Sequence, residues 1–171
     1  LPPQAVELED SVLGAIMLAK EAFASVADLL RPEVFYNDQN RLIYEAIRTL
    51  SSKDKPIDML SVGEQLKANG TLEQVGGTVY LSELTRRVAS TAHLRYHAEI
   101  IAQKSVARDL IAVAADIEER GFDETQDVEE LMQIAEASIF EVTQRAQKRD
   151  VTRINAVVKE AFERMAKAAK N

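Results

Sequence analysis

Two adjacent glycines, Gly76 and Gly77, interrupt the stretch "LEQVGGTVYLSEL" in a chain with only six Gly and four Pro. A glycine pair feeding a helix can turn backbone N–H groups toward a phosphate. The phosphate-loop pattern G-x-x-x-x-G-K-S/T also needs a Lys for charge and a hydroxyl for magnesium. After Gly77 the chain reads "TVYLSEL", with no Lys, and no G-x-G-x-x-G follows a strand. The pair therefore reads as a structural turn that sets a short helix against its surroundings. His93 and His97 stand four apart in "HLRYH", on one helical face at the spacing of a zinc-peptidase helix. Leu94 occupies the place of that motif's Glu, no third ligand is apparent, and exposed helix histidines are the expectation. The carboxylates of "ELED", "IEER" and "VEEL" read as solvated helix faces rather than as a paired acid and base. There is no G-x-S-x-G and no Cys to act as a nucleophile.

Basic residues offer little more. Arg86-Arg87 and "QRAQKRD" lack the interleaved aromatics of single-strand binding and read as solvated surface. The net charge is −7, which argues against this chain gripping DNA by itself. Charge is uneven: from Arg145 to Asn171 eight Lys/Arg face three Asp/Glu, leaving 13 basic and 25 acidic residues elsewhere. No apolar run reaches membrane-spanning length, and no signal segment opens the chain, which begins at Leu1 as a piece of a longer protein would. The absence of Cys fits a cytosolic protein.

The elements that position these residues read as helices throughout. Val6, Leu13, Ile16 and Met17 recur at helical spacing after Pro2-Pro3, and Phe23 to Leu30 make a second short helix ended by Pro32. Asn37 or Asp38 caps a third helix whose stripe is Leu42, Ile43, Ala46, Ile47 and Leu50. Ser61 and Glu64 have capping-box spacing in a fourth, which stops at Asn69-Gly70. A fifth begins just after Gly77. From Ser90 or Thr91 a helix of about 30 residues runs to Gly121, too broadly apolar for a single packing partner. Asp127 and Glu130 open its antiparallel companion, and "QKRD" reads as a break before a final helix capped by Thr152.

The expected fold is all-α: a compact five-helix head (1–90), a long helical hairpin (91–146) and a linker region with an amphipathic helix (147–171). The final helix carries Ile154, Val157, Val158, Ala161, Phe162 and Met165 on one face. Its polar face includes Glu160 and Glu163 and no Trp anchors it, so a protein groove suits it better than a membrane surface. Folding back on its own hairpin is the alternative.

"PPQAVELEDSVLGAIML", "PIDMLSVGEQL", "GTLEQVGGTVYLSEL", "TAHLRYHAEII" and "AEASIFEVTQ" together resemble the N-terminal domain of DnaB-type replicative DNA helicases, over nearly the whole chain. The resemblance implies a bacterial, cytoplasmic protein of replication forks whose full-length form is a hexameric, ATP-driven 5′–3′ helicase. ATP and magnesium would belong to a RecA-like domain that this chain does not include, so the chain itself is expected to bind no cofactor and to be no enzyme. Implied partners are a second copy of the chain (as a dimer, or a hexameric collar built as a trimer of dimers), the C-terminal domain of a DnaG-type primase, and a helicase loader. The final helix resembles the family's linker helix, which docks on the ATPase domain of the neighbouring subunit. Carried over residue by residue, Gly76, Gly77 and Tyr80 match the family's turn, and Ile111, Ile117 and Leu131 match a hairpin surface tied to pairing and primase communication. For Tyr80 and those three the implied role is partner contact. Ile154, Val158, Phe162 and Met165 match the linker helix's packing face. The chain departs from the family at "VASTAHL", where a Pro before the long helix is common and an Asn usually stands at His93, so helix entry should differ in detail. A stand-alone helical adaptor that pairs with itself, unrelated to replication, is the competing reading.

Overall fold

The computed structural model describes residues 1–88 and 90–170, and their side chains except those of 149–156. Every element among them is helical: α1 (Val6–Leu18), α2 (Ala22–Val26), a 3-10 turn (Pro32–Val34), α3 (Asp38–Ser52), α4 (Met59–Ala68), α5 (Gly77–Arg86), α6 (Leu94–Phe122) and α7 (Val128–Ala169). The chain forms two compact units, Leu1–Arg108 and Asp109–Asn171, which divide inside α6.

In the first unit α1 is the hub. It packs against α2, α3, α4 and α5, and Val12, Leu13, Ala15, Ile16 and Met17 are all buried. A helix buried on most of its circumference is what its nearly unbroken apolar run, "VLGAIML", demands. Around it lie Phe35 and Tyr44 (ring centroids 5.0 Å apart), Ile43, Ile47, Leu66, Leu81 and Leu84. The Tyr44 hydroxyl donates to the Leu30 carbonyl at 3.2 Å, which satisfies the polar end of a buried ring. Leu94, Ala98 and Ile101 join the same core, which is why this unit claims the start of α6.

Local signals set the helix ends. Asn37 caps α3, its side chain accepting from the Asn40 N–H at 3.1 Å. In α4 the cap is Asp58, three residues ahead of the expected Ser61. The Asp58 carboxylate accepts from the Ser61 N–H at 2.8 Å, and the Ser61 hydroxyl accepts from the Asp58 N–H at 2.9 Å. Ser61 is thus the inner half of the box, and its N–H holds the Asp58 carboxyl below the usual range. Gly76 and Gly77 have φ of 104° and 71°, a left-handed backbone that any Cβ would strain. The Gly77 N–H donates to the Leu72 carbonyl at 2.9 Å and closes the turn before α5. α6 starts at Leu94, later than Ser90 or Thr91, because residues 91–93 form a turn.

In the second unit, Asp127 caps α7 by accepting from the Glu129 N–H. The break expected at "QKRD" is absent, and α7 is one helix of 42 residues. Its span contains no Gly or Pro, and Gln, Lys and Arg are good helix formers, so charge alone does not interrupt it.

Two glycines in this fold should respond oppositely to substitution. A Cβ on Gly14 would lie 2.2 Å from the Leu84 carbonyl oxygen and 2.5 Å from Val88 Cγ2, where α1 crosses α5. Gly14→Ala is expected to cost at least ~2 kcal/mol in urea unfolding, because backbone and not a flexible tip must give way. On Gly63, mid-helix in α4, a Cβ would make an ordinary 3.7 Å contact with Leu81. Gly63→Ala is expected to stabilise by about 0.5–1 kcal/mol in the same assay.

Candidate interaction surface

Of the "ELED" carboxylates, expected on a solvated face, Glu7 is exposed, but Glu9 and Asp10 are enclosed, 1% and 7% exposed. Glu9 accepts from the N–H groups of Tyr36 (2.9 Å) and Asn37 (3.2 Å), and from Asn40 Nδ2 at 3.3 Å. Asp10 accepts from Asn40 Nδ2 at 2.9 Å and from Arg87 at 2.9 Å. Arg87, read as free basic surface, also lies 3.6 Å from Glu83. The Tyr80 hydroxyl donates to Asn40 Oδ1 at 2.7 Å and lies 3.3 Å from Asp10 Oδ1. Burial, then the Asp10 carboxylate, pushes the Tyr80 hydroxyl well above its ordinary range, so it stays a donor. Tyr80 therefore spends its polar end inside the first unit, with its ring half-buried. Glu9, Asp10, Asn40 and Arg87 escaped the sequence reading. The available signal was that "ELED" runs straight into the nearly unbroken apolar run of α1, which leaves little wet face for the acids nearest it. With every carboxylate oxygen engaged, these side chains brace α1, α3 and α5 together and present no open acid–base pair.

Two arginines of α6 hold its first part in the same unit. Arg95 forks onto Asp28 (3.1 and 2.9 Å) and donates to the Ser25 carbonyl. Arg108 donates to the carbonyls of Pro3 (2.8 Å) and Val34 (2.7 Å), with its guanidinium 5.4 Å from the Tyr36 ring centroid. His93 and His97 have ring centroids 6.4 Å apart, and among the described residues no three His, Cys, Asp or Glu gather as a metal site.

The second unit has the opposite character. Leu110, Ile111, Phe122, Val128, Met132, Ile139 and Phe140 are exposed, Phe122 by 80%. Of the hairpin positions singled out from sequence, Ile111 is 53% exposed, while Ile117 and Leu131 are half-buried. Farther along α7, Val158, Phe162 and Met165 are exposed with Val157; the Ile154 side chain lies outside those described. Arg145 approaches Asp109 at 3.9 Å, the antiparallel pairing expected of a hairpin. No helix among the described residues is long and apolar enough to cross a membrane. The structure thus gathers many exposed apolar side chains on α6 and α7.

The family model "DnaB-like helicase N terminal domain" matches residues 1–103. The chain is 43% identical over 165 residues to the replicative DNA helicase DnaB of Rhodothermus marinus, covering 96% of this chain and 17% of that protein. It is 38% identical over 145 residues to the replicative DNA helicase DnaC of Bacillus subtilis (strain 168), covering 85% of this chain and 32% of that one. Among solved structures, the N-terminal domain of DnaB helicase from Mycobacterium tuberculosis aligns with a TM-score of 0.78 and 34% identity, over 83% of this chain and 99% of that chain. A DnaB-like replicative helicase, described with its interactions with primase, aligns with a TM-score of 0.68 and 27% identity, over 81% of this chain and 30% of that chain. The chain spans about a third or less of the length of these curated relatives.

The buried cluster makes a pH prediction. Tyr44 and Tyr80 both have hydroxyls raised by burial, so the folded state keeps protons that the unfolded state releases. Their contribution should be fully present below about pH 10, the ordinary tyrosine range, and be lost as pH rises above it. Tyr80→Phe is expected to cost ~1–2 kcal/mol at neutral pH, because Asn40 loses its donor, and to flatten the alkaline fall in urea unfolding.

Proposed function

The chain belongs to the family of DnaB-like helicase N-terminal domains, and on that premise we propose that it is the assembly and interaction domain of a replicative DNA helicase. In this reading copies of the chain pair through the α6–α7 hairpin, build the collar of a hexamer, and receive the C-terminal domain of a DnaG-type primase. The observation that carries it is the set of exposed apolar side chains of the second unit, Ile111, Ile139 and Phe140 among them. The first unit closes a core of its own, whereas exposed aliphatic and aromatic side chains on a hairpin suit protein contact. The solved relative described with primase supports the choice of that partner.

Ile111, Ile117, Leu131 and, on the head, Tyr80 are the proposed contact residues. Ile154, Val158, Phe162 and Met165 are the proposed docking face for the ATPase domain of a neighbouring subunit. ATP and magnesium belong to that domain, which supplies the 5′–3′ unwinding of the whole protein; the described chain has no phosphate loop with which to do so. The proposed setting is the bacterial cytoplasm at replication forks, where a loader places the ring on DNA.

Sedimentation of the chain alone, and titrated with the cognate primase C-terminal domain, tests this reading. A dimer or larger assembly that takes up primase is expected. Ile111→Glu should weaken assembly without lowering the urea midpoint of the first unit. A strict monomer that ignores primase throughout the titration would overturn both partner assignments.

A further inference from the structure

We propose that in the free chain the C-terminal half of α7 is covered by the N-terminal half of α7 from a second copy, the two helices running antiparallel. The inference rests on the reading that copies of this chain pair. α7 is one helix of 42 residues, about 63 Å long at 1.5 Å per residue. Its charge is segregated along its length. Residues 128–144 carry Glu129, Glu130, Glu136 and Glu141 and no Lys or Arg, whereas from Arg145 to the end of the chain eight Lys/Arg face three acids. Both halves expose apolar side chains: Val128, Met132, Ile139 and Phe140 in the first, Val157, Val158, Phe162 and Met165 in the second.

At 100° per residue these two groups fall on one side of the helix, within roughly 160° of its circumference. The opposite side of the first half is the less exposed one, with Leu131, Ile134, Ser138 and Val142, and it leads to Arg145 beside Asp109 of α6. The shared stripe is therefore not the side turned to the hairpin's other arm. Because α7 is unbroken, its own second half cannot fold back over the first.

Parallel pairing of two such helices would set acid against acid and base against base. Antiparallel pairing sets each basic half against an acidic half. Levelling Met132 with Met165 also levels Ile139 with Val158 and Phe140 with Val157, and it brings Arg164, at the edge of the stripe, within about one turn along the axis of the partner's Glu129 and the partner's Glu136, which lie within the stripe. An anionic membrane fits less well, since the same stripe carries the acidic half and has no Trp. The seam covers Val158, Phe162 and Met165, the face proposed for the neighbouring ATPase domain, so self-pairing and docking compete for it.

The chain contains no Cys, which makes the test direct. Phe140→Cys and Val157→Cys variants are prepared separately, then oxidised mildly alone and as a mixture. The mixture should give several-fold more covalent dimer than either variant alone, and Met132→Cys with Met165→Cys should repeat the result. In the mixture, Arg164→Glu on the Val157→Cys variant should lower the yield, and Glu136→Lys on the Phe140→Cys variant should restore it. Efficient cross-linking of one variant with itself would mean parallel pairing or another antiparallel register and overturn the proposal. A sedimenting dimer with no cross-link in the mixture would overturn the seam while leaving hairpin pairing intact. A monomer by sedimentation would overturn both.

Discussion

Glu9 and Asp10 sit side by side in the first unit, 1% and 7% exposed, and the rest of that unit is arranged around supplying their donors. A buried carboxylate without partners is costly enough to unfold a small domain, and one with well-placed donors fixes geometry instead. Here the donors come from the entry to α3 (Tyr36, Asn37, Asn40) and the end of α5 (Arg87), with Tyr80 closing the network through Asn40. The N–H groups that Glu9 accepts lie at a helix start, where backbone donors lack intrahelical partners. One side chain thereby satisfies two needs. Rotating α1 would strand the acids against Val12 and Leu13's neighbours and leave those N–H groups empty, so α1 has a single seating.

That seating governs how the first part of α6 is held. Once α1 and the segment after it are placed, Asp28 and the Ser25 carbonyl stand ready for Arg95, and the Pro3 and Val34 carbonyls for Arg108. Polar contacts at fixed carbonyls give orientation, while Leu94, Ala98 and Ile101 supply burial. The first unit is thereby complete in itself. The second is not: its exposed isoleucines and phenylalanines have no such closure, and in a chain of this family the sensible reading is that partners provide it.

Local features were legible from sequence because they are written in neighbouring residues. The Asn37 cap, the Gly76-Gly77 turn, the stop at Gly70 and the stripe of α3 each depend on spacing within a few positions. The "ELED" burial was not legible in that way. Its partners lie 27 to 77 residues away, and an acidic pair looks solvated until the helix carrying it proves to be the hub. The α4 cap was misplaced by three residues because Asp58 and Ser61 are both good capping residues, and only geometry says which role each takes. The break expected at "QKRD" shows the limit of reading charge as punctuation, since Gln, Lys and Arg propagate a helix well. Of the candidate interface, the exposure of Ile111, Phe162 and Met165 accords with their amphipathic spacing, whereas the internal hydrogen bonds of Tyr80 are non-local and became visible only in three dimensions.

The central claim is a division of labour: a first unit that is stable by itself and a second whose apolar surface is meant to be covered. Hydrogen–deuterium exchange across a wide range of chain concentrations tests it most directly. Amides of α1, α3 and α5 should exchange slowly and identically at every concentration. Those of α6 and α7 beyond residue 109 should become more protected as concentration rises. Protection of the second unit that does not change with concentration, or protection of the first that rises in step with it, would contradict the account.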